Sequence, residues 1–425
     1  MAHRRLPPPP SEPAEPRCYS REVPQTTMTG EPPCPPAAGD PAVAPAAQTR
    51  ALRAVRRPFD AVDPATWDAL AAANPWATPF SRWAFHRAWW DAYGANAHEE
   101  TVVLVPADAP DDAVPVCIVP LMHRHEVEAR DVELHTTLRH GGGPELTPVP
   151  PDAKAVFFGA SYHADYATIL GAPEDMAAAA DALVAYVAAG GDPAHPQPWD
   201  AVDLRRLRHG DPAADALASA FGRHEMTEGW TLNVEPEEVC PVATLPAGAS
   251  LDDYFATLGK KERHEIRRKV RRAEAAGAVL LTDSADPLAD LDAFIDLHQK
   301  RWGAGGLFPD TAGGAQSRTF FRRLFELFGA DGPLRLAFLT VDGRRIAAGV
   351  SFETDDAVLY YNAGVDPDAR ELSPGVVMVE RYVRRALEHG ARRLDFLRGN
   401  EPYKYEWGAV DETISRLLVR RTTGR

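Results

Sequence analysis

The densest grouping of chemically capable side chains in the 425-residue chain is Leu394-Asp395-Phe396-Leu397-Arg398-Gly399-Asn400-Glu401-Pro402-Tyr403-Lys404-Tyr405-Glu406-Trp407-Gly408. It begins as an apolar strand bearing one acid, Asp395, and breaks at Arg398-Gly399-Asn400. A strand that ends in Gly and runs into polar and aromatic side chains is how α/β proteins present a site at the carboxyl edge of a sheet. Carboxylates and tyrosines there can move protons, and Arg398 is a planar fork suited to phosphate. The competing reading is a packed C-terminal hairpin whose aromatics are core.

Composition limits what such a site can serve. With 45% apolar residues the chain can build two domains with real cores. A net charge of −15 argues against coating nucleic acid or an anionic membrane through the overall field, and no DNA partner is expected. Cys18, Cys34, Cys117 and Cys240 lie far apart, with neither disulfide-framework nor zinc spacing, so no metal is expected and a reducing cytoplasm fits. No run of about 18 apolar residues predicts a membrane span. Residues 1–50 are rich in Pro and Ala and predict disorder, and Met28 within them is a second candidate start besides Met1.

The elements that must position the stretch come next. Aromatics from Phe59 to Tyr93 recur at roughly helical spacing behind Ser81, which predicts a core helix or, alternatively, a binding box for sugars or bases. Segments 101–105 and 114–122 predict a hairpin, and His140-Gly141-Gly142-Gly143-Pro144 a loop. Residues 165–170 read as a strand, 174–189 as a helix closed by Gly190-Gly191, 202–207 as a strand and 231–245 as extended chain. Ser250 caps a short helix with Asp252 and Asp253 in its first turn.

The next helix holds Lys260, Lys261, Arg263, Arg267, Arg268, Lys269, Arg271 and Arg272 around an apolar stripe of Ile266, Val270 and Ala273. In an acidic chain such an excess predicts an anionic partner: cofactor phosphates, an RNA backbone or lipid headgroups. Helices at 294–302 and 318–328 flank the loose Gly303-Ala304-Gly305-Gly306 segment. Asp342-Gly343 joins strands 334–340 and 346–353 into a hairpin. A strand at 358–365 precedes a helix capped by Ser373 with Pro374 at its first position, which feeds the opening strand.

The two ends of the chain repeat. Helix 174–189 and the strand carrying Asp203 match helix 373–389 and the strand carrying Asp395, with strand 165–170 matched to 359–364 and 123–164 treated as an insertion. The predicted fold is α/β (α+β) with a mixed sheet, in two domains, 51–240 and 241–425, after the tail.

The run Leu258 to Lys269, the segment Tyr360-Tyr361-Asn362-Ala363-Gly364-Val365-Asp366, Leu372-Ser373-Pro374-Gly375 and the stretch Asp395 to Gly408 resemble the BioF2-like or CelD-like acetyltransferases of the GNAT superfamily. These are related to the Fem peptidyltransferases, which carry two tandem GNAT-like domains. The resemblance covers roughly residues 60 to 420. It implies acyl transfer from acyl-CoA, or aminoacyl transfer from tRNA, to an amine on a sugar, peptide or cell-envelope precursor, with the C-terminal domain active.

On that resemblance Ser373, Gly375 and Val376 fall where the superfamily holds the pyrophosphate of CoA at a helix N-terminus, and Arg398, Lys260, Lys261 and Arg267 are further candidates for the anionic donor. This turn has one glycine, and Pro374 removes a donor. Amine attack on a thioester needs a base, an oxyanion donor and an acid for the leaving group. Glu353 and Glu401 are the candidate bases and Tyr403 or Tyr361 the candidate acid. Lys404 would bind an anion or the oxyanion. Asp395 is expected to pair structurally with Arg392 or Arg393, and His298 and His264 read as packed or surface residues. Two further readings stay open: a Fem-like aminoacyltransferase using charged tRNA, for which the basic helix speaks, and a non-catalytic binding protein that has lost its cofactor.

Overall fold

The computed structural model describes residues 50–124, 146–150, 153–192, 194–196 and 199–421. The predicted tail and the His140–Pro144 loop lie outside these residues. In chain order the strands are Leu52–Arg56 (β1), His98–Glu99 (β2), Val102–Pro106 (β3), Cys117–Val119 (β4), Leu121–Arg124 (β5), Ala155–Phe158 (β6), Gly191–Asp192 (β7), His195–Pro196 (β8) and Ala201–Arg208 (β9). They continue with Trp230–Thr244 (β10), Val279–Asp283 (β11), Leu334–Val341 (β12), Arg344–Glu353 (β13), Ala357–Val365 (β14), Arg393–Asp395 (β15) and Val410–Arg421 (β16). The α-helices are Pro64–Ala73 (α1), Trp83–Tyr93 (α2), Met176–Ala188 (α3), Pro212–Glu228 (α4), Leu251–Thr257 (α5), Lys260–Ala276 (α6), Pro287–Trp302 (α7), Ala312–Phe328 (α8), Pro374–Glu388 (α9) and Pro402–Tyr405 (α10).

One mixed sheet organises residues 50–421, in the order β11-β12-β13-β14-β15-β10-β16-β9-β6-β5-β2. Its parallel contacts include β6 with β9 and β14 with β15, joined across α3 and α9 respectively. Between these pairs lie the antiparallel β10 and β16, exchanged so that β10 meets β15 and β16 meets β9. The chain is thus a mixed α/β fold built on a repeated β-α-β unit.

Local chemistry accounts for many of the elements. Ser250 and Asp253 form a reciprocal capping box on α5. The α6 stripe Ile266, Val270 and Ala273 is buried as its spacing requires. Asp342 and Gly343 both take positive φ between β12 and β13, the geometry of a tight hairpin turn. The aromatic stripe is core: Phe80, Phe85, Trp89 and Tyr93 join Phe320, Phe321 and Phe352 in one cluster.

Four expectations are corrected. The strand parallel to β9 is β6, not 165–170, because residues 165–170 make only isolated bridges at Ala167 and Leu170. The first-half strand therefore lies inside the stretch treated as an insertion. Segment 114–122 is divided: β4 pairs with β3 in a small separate sheet, while β5 enters the large sheet beside β6. Helix α4 was not anticipated, although Asp211 caps it and Pro212 stands at its first position. Ser373 takes a left-handed conformation (φ 53°, ψ 52°) and makes no side-chain cap; its hydroxyl instead accepts from Arg272 at 2.7 Å.

Candidate active site

Strands β14 and β15 pair only from Ala357 to Leu359 against Arg393 to Asp395. Beyond that register they part, and a cavity of about 430 Å³ opens, lined from β14 by Tyr360 to Ala363 and after β15 by Phe396, Leu397 and Arg398. Helix α7 forms another wall with His298, Arg301 and Trp302, and it comes this close because of Gly364. A Cβ there would stand 2.3 Å from the backbone nitrogen of His298, so no other residue fits without displacing the helix. Glu401, Tyr403 and Lys404 line the cavity from the motif that closes it.

The first half supplies Tyr162, His163 and Asp165. These were not foreseen. The only sequence signal was the run Tyr162-His163-Ala164-Asp165-Tyr166, whose polar and aromatic density resembles that of the later motif.

The loop after β15 is held by Lys404. Its ammonium is buried and donates to the carbonyls of Leu397, Arg398 and Gly399 at 3.1, 2.7 and 2.9 Å, and it stands 2.9 Å from the Glu401 carboxylate. An ammonium has three protons, so these partners account for its donors. They stabilise a bent backbone in which Leu397 has φ 56° and Gly399 φ 104°. A Cβ at Gly399 would also strike the Glu401 carboxylate at 2.6 Å. Lys404 thus shapes the loop, with Glu401 beside it.

Arg398 is buried and turned inward, to Asp165 and, at 3.8 Å, Glu238. It joins the two halves rather than offering its fork to solvent. Asp395 pairs with neither Arg392 nor Arg393; it accepts from the Tyr166 hydroxyl and the Leu397 amide, each at 2.8 Å, while Arg393 reaches Glu412. Burial drives its carboxyl up to about 6, against the pull of those hydrogen bonds.

Burial likewise holds the imidazole of His163 down at about 3 and that of His298 at about 4, so both are neutral at pH 7. His163 Nε2 lies 2.7 Å from the Tyr93 hydroxyl, and the Tyr361 hydroxyl donates to the His163 carbonyl at 3.0 Å. Burial pushes Tyr403 and Tyr361 well above the usual phenol range. Both therefore remain protonated donors at neutral pH.

Glu353 is not among the residues lining the cavity. It meets Arg385 at 3.2 Å and Ser351 at 3.3 Å. The anion-binding candidates are likewise separated. Ser373, Gly375 and Val376 stand at the start of α9 beside Arg272, near the C-terminal end of α6. Lys260 and Lys261 stand at the opposite end of α6, roughly 18 Å away by helical rise. Arg267 packs over Phe255 and pairs with Asp252 at 2.6 Å.

The start of α9 partly fits a phosphate. Pro374 has no N–H, and the Val376 and Val377 amides turn back to the Ser373 carbonyl. That leaves the Gly375 amide, with open space where a Cβ would stand, and the Arg272 guanidinium. His264 is exposed on α6. Among the described residues no group of three His, Cys, Asp or Glu side chains is placed to hold a metal ion, and no helix is long and apolar enough to cross a membrane.

Residues 260–405 match the family described as Acetyltransferase (GNAT) domain. Within the chain, the segment matched by that family holds α6 to α10 and most of the cavity wall, and the fold is shared with FemX. The solved structure of FemX superposes with a TM-score of 0.52 at 12% identity, covering 84% of this chain and 96% of FemX. A tandem GNAT protein from the clavulanic acid biosynthesis pathway gives 0.44 at 10% identity, covering 88% and 100%. The C-terminal domain (DUF2156) of a putative lysylphosphatidylglycerol synthetase from Agrobacterium fabrum gives 0.41 at 10%, covering 80% and 92%. No curated relative matches the sequence.

Proposed function

We propose that this chain is a cytoplasmic N-acyltransferase of the BioF2-like or CelD-like kind, moving an acyl group from acyl-CoA to an amine of a sugar, peptide or cell-envelope precursor. The observation that carries this reading is the cavity between β14 and β15, in which the Glu401 carboxylate and the protonated phenols of Tyr361 and Tyr403 face one space.

In this reading the amine nitrogen forms the new C–N bond as the thioester C–S bond breaks. Glu401 takes the proton from the attacking amine, directly or through water, and Tyr403 protonates the leaving thiolate. Tyr361 is the alternative acid. Lys404 acts through the loop it holds, and Glu353 falls away as a base because it is tied to Arg385 outside the cavity lining. CoA phosphates would meet Ser373, Gly375, Val376 and Arg272. The domain division at about residue 240, with the second domain active, belongs to the same proposal.

A Fem-like transfer from aminoacyl-tRNA is favoured by a different observation. Lys260, Lys261 and Arg271 are exposed on α6 and, among the described residues, meet no carboxylate within ion-pair distance. Calorimetric titration of the full chain with acetyl-CoA and with aminoacyl-tRNA separates the readings. Micromolar acetyl-CoA binding supports the first. Binding of tRNA that weakens steeply between about 50 and 200 mM salt supports the second. Silence from both overturns the enzyme reading in favour of a binding protein.

A further inference from the structure

The cavity wall carries three cations, Arg301, Arg398 and Lys404, against two carboxylates, Asp165 and Glu401. Two of the cations are spoken for. Arg398 is buried against Asp165 and Glu238, and Lys404 is enclosed by Glu401 and three carbonyls.

Arg301 differs. It sits in the last turn of α7, is exposed, and among the described residues has no carboxylate within ion-pair distance. Its guanidinium lies over the Trp302 ring, 4.5 Å from the centroid. Stacking occupies the face of a guanidinium and leaves its edge N–H groups free, which is the geometry that takes a carboxylate or phosphate in a bidentate grip. Its charge also reaches into the cavity. It adds to the burial that lowers His298, and it opposes the burial that raises Tyr360 and Tyr403.

We infer that Arg301, backed by Trp302, is an anion-recognising residue of this cavity, so that a molecule bound there carries a phosphate or carboxylate besides its reacting group. This rests on the proposed acyl transfer for the meaning of that group, though not for its existence. Two sources share the chemistry: a phosphate of the acyl donor, and an acidic group on the acceptor amine. An acceptor of the second kind would be an amino sugar phosphate or an amino acid, and neutral amines would be poor substrates.

The test is calorimetric titration of the full chain and of Arg301→Ala with inorganic pyrophosphate, acetyl-CoA, glucosamine 6-phosphate and glucosamine. Because Arg301 is exposed, the variant is expected to fold, and its unfolding midpoint is measured alongside. The expected result is that at least one phosphate-bearing ligand binds the wild type and binds Arg301→Ala about tenfold more weakly, that Arg301→Lys lies between, and that glucosamine does not distinguish the proteins. A loss confined to acetyl-CoA assigns the anion to the donor; a loss with glucosamine 6-phosphate assigns it to the acceptor. Pyrophosphate weakened by the substitution in a protein that ignores acetyl-CoA keeps the anion site and removes the acyl-CoA reading. Equal affinities of wild type and Arg301→Ala for every anionic ligand, or no anion binding by the wild type, overturn the inference.

Discussion

Phe157 stands opposite Asp203 across the parallel pair β6/β9 just as Leu359 stands opposite Asp395 across β14/β15. Each unit therefore places an acid at the same register position, yet the surroundings of the two are opposite. Burial works against the charge of Asp203, but the guanidinium of Arg416, with two contacts of 2.7 Å, and the nearby Arg205 hold its carboxyl below the usual range. Arg416 comes from β16, which pairs with β9 through Arg208. Asp395 has no such partner, and its strand ends there. The first unit is closed by a cation on the exchanged strand, whereas the second opens into the cavity and leaves its acid to a phenol and an amide. The parallel ladder ends at the acid in both units; what separates them is that β9 runs on against β16 while β15 stops.

The largest effects are expected where either arrangement is broken. Lys404→Met should remove acyl transfer and cost about 3–5 kcal/mol, because the Glu401 carboxylate and three carbonyls lose their common partner. Asp203→Asn should cost a similar amount, about 3–5 kcal/mol, by leaving Arg416 half-paired in the interior. Turnover per folded molecule should survive it, since Asp203 does not line the cavity. Urea unfolding together with an acyl-transfer assay on both variants checks this; equal loss of turnover in the two would erase the distinction between the units.

The second expectation is a pH signature. A carboxyl raised from about 4 in the unfolded chain to about 6 in the fold binds its proton more tightly when folded. Its contribution is fully present below pH 4 and is lost as pH rises to 6, an effect of about 3 kcal/mol. Asp395→Asn keeps an acceptor for the Leu397 amide, can donate its Nδ2–H to the Tyr166 oxygen, and cannot ionise. Between pH 4 and 6 its stability relative to wild type should therefore climb with pH. Denaturant midpoints across that window measure it, and parallel wild-type and variant curves would show that Asp395 ionises normally.

Much of this contrast was legible in the sequence, because local rules governed it: the two strand acids, the Asp-Gly hairpin, the capping box at Ser250 and the apolar stripe of α6 all follow from spacing and turn chemistry. The partners of those acids were not legible. Tyr166 lies 229 residues from Asp395 and Arg416 lies 213 from Asp203, and only the exchange of β10 and β16 brings them together. The same holds for Tyr162, His163 and Asp165 in the cavity wall. The short β6 was illegible for a different reason. Four apolar residues buried in a parallel pair show no alternation from which a strand can be read.

The smallest effect concerns the crossover helices. Helix α3 is entered through Pro173–Asp175, with Glu174 and Asp175 at its threshold, where they oppose an anion. Helix α9 is entered through Ser373, with Arg272 bonded to its hydroxyl and the Gly375 amide beside it. Only the second entrance suits a phosphate. Ser373→Gly would relieve the left-handed backbone, a gain of about 1–2 kcal/mol partly offset by glycine's larger unfolded-state entropy, and lose one exposed hydrogen bond of about 0.5–1.5 kcal/mol. Net stability should stay within about 1 kcal/mol of wild type. Released from Ser373, Arg272 would no longer be held beside the Gly375 amide, so acetyl-CoA affinity should fall by about three- to tenfold, up to roughly 1.4 kcal/mol. Calorimetry on the variant reads this directly, and unchanged affinity would move the donor's phosphates away from α9, leaving the two crossover helices functionally alike.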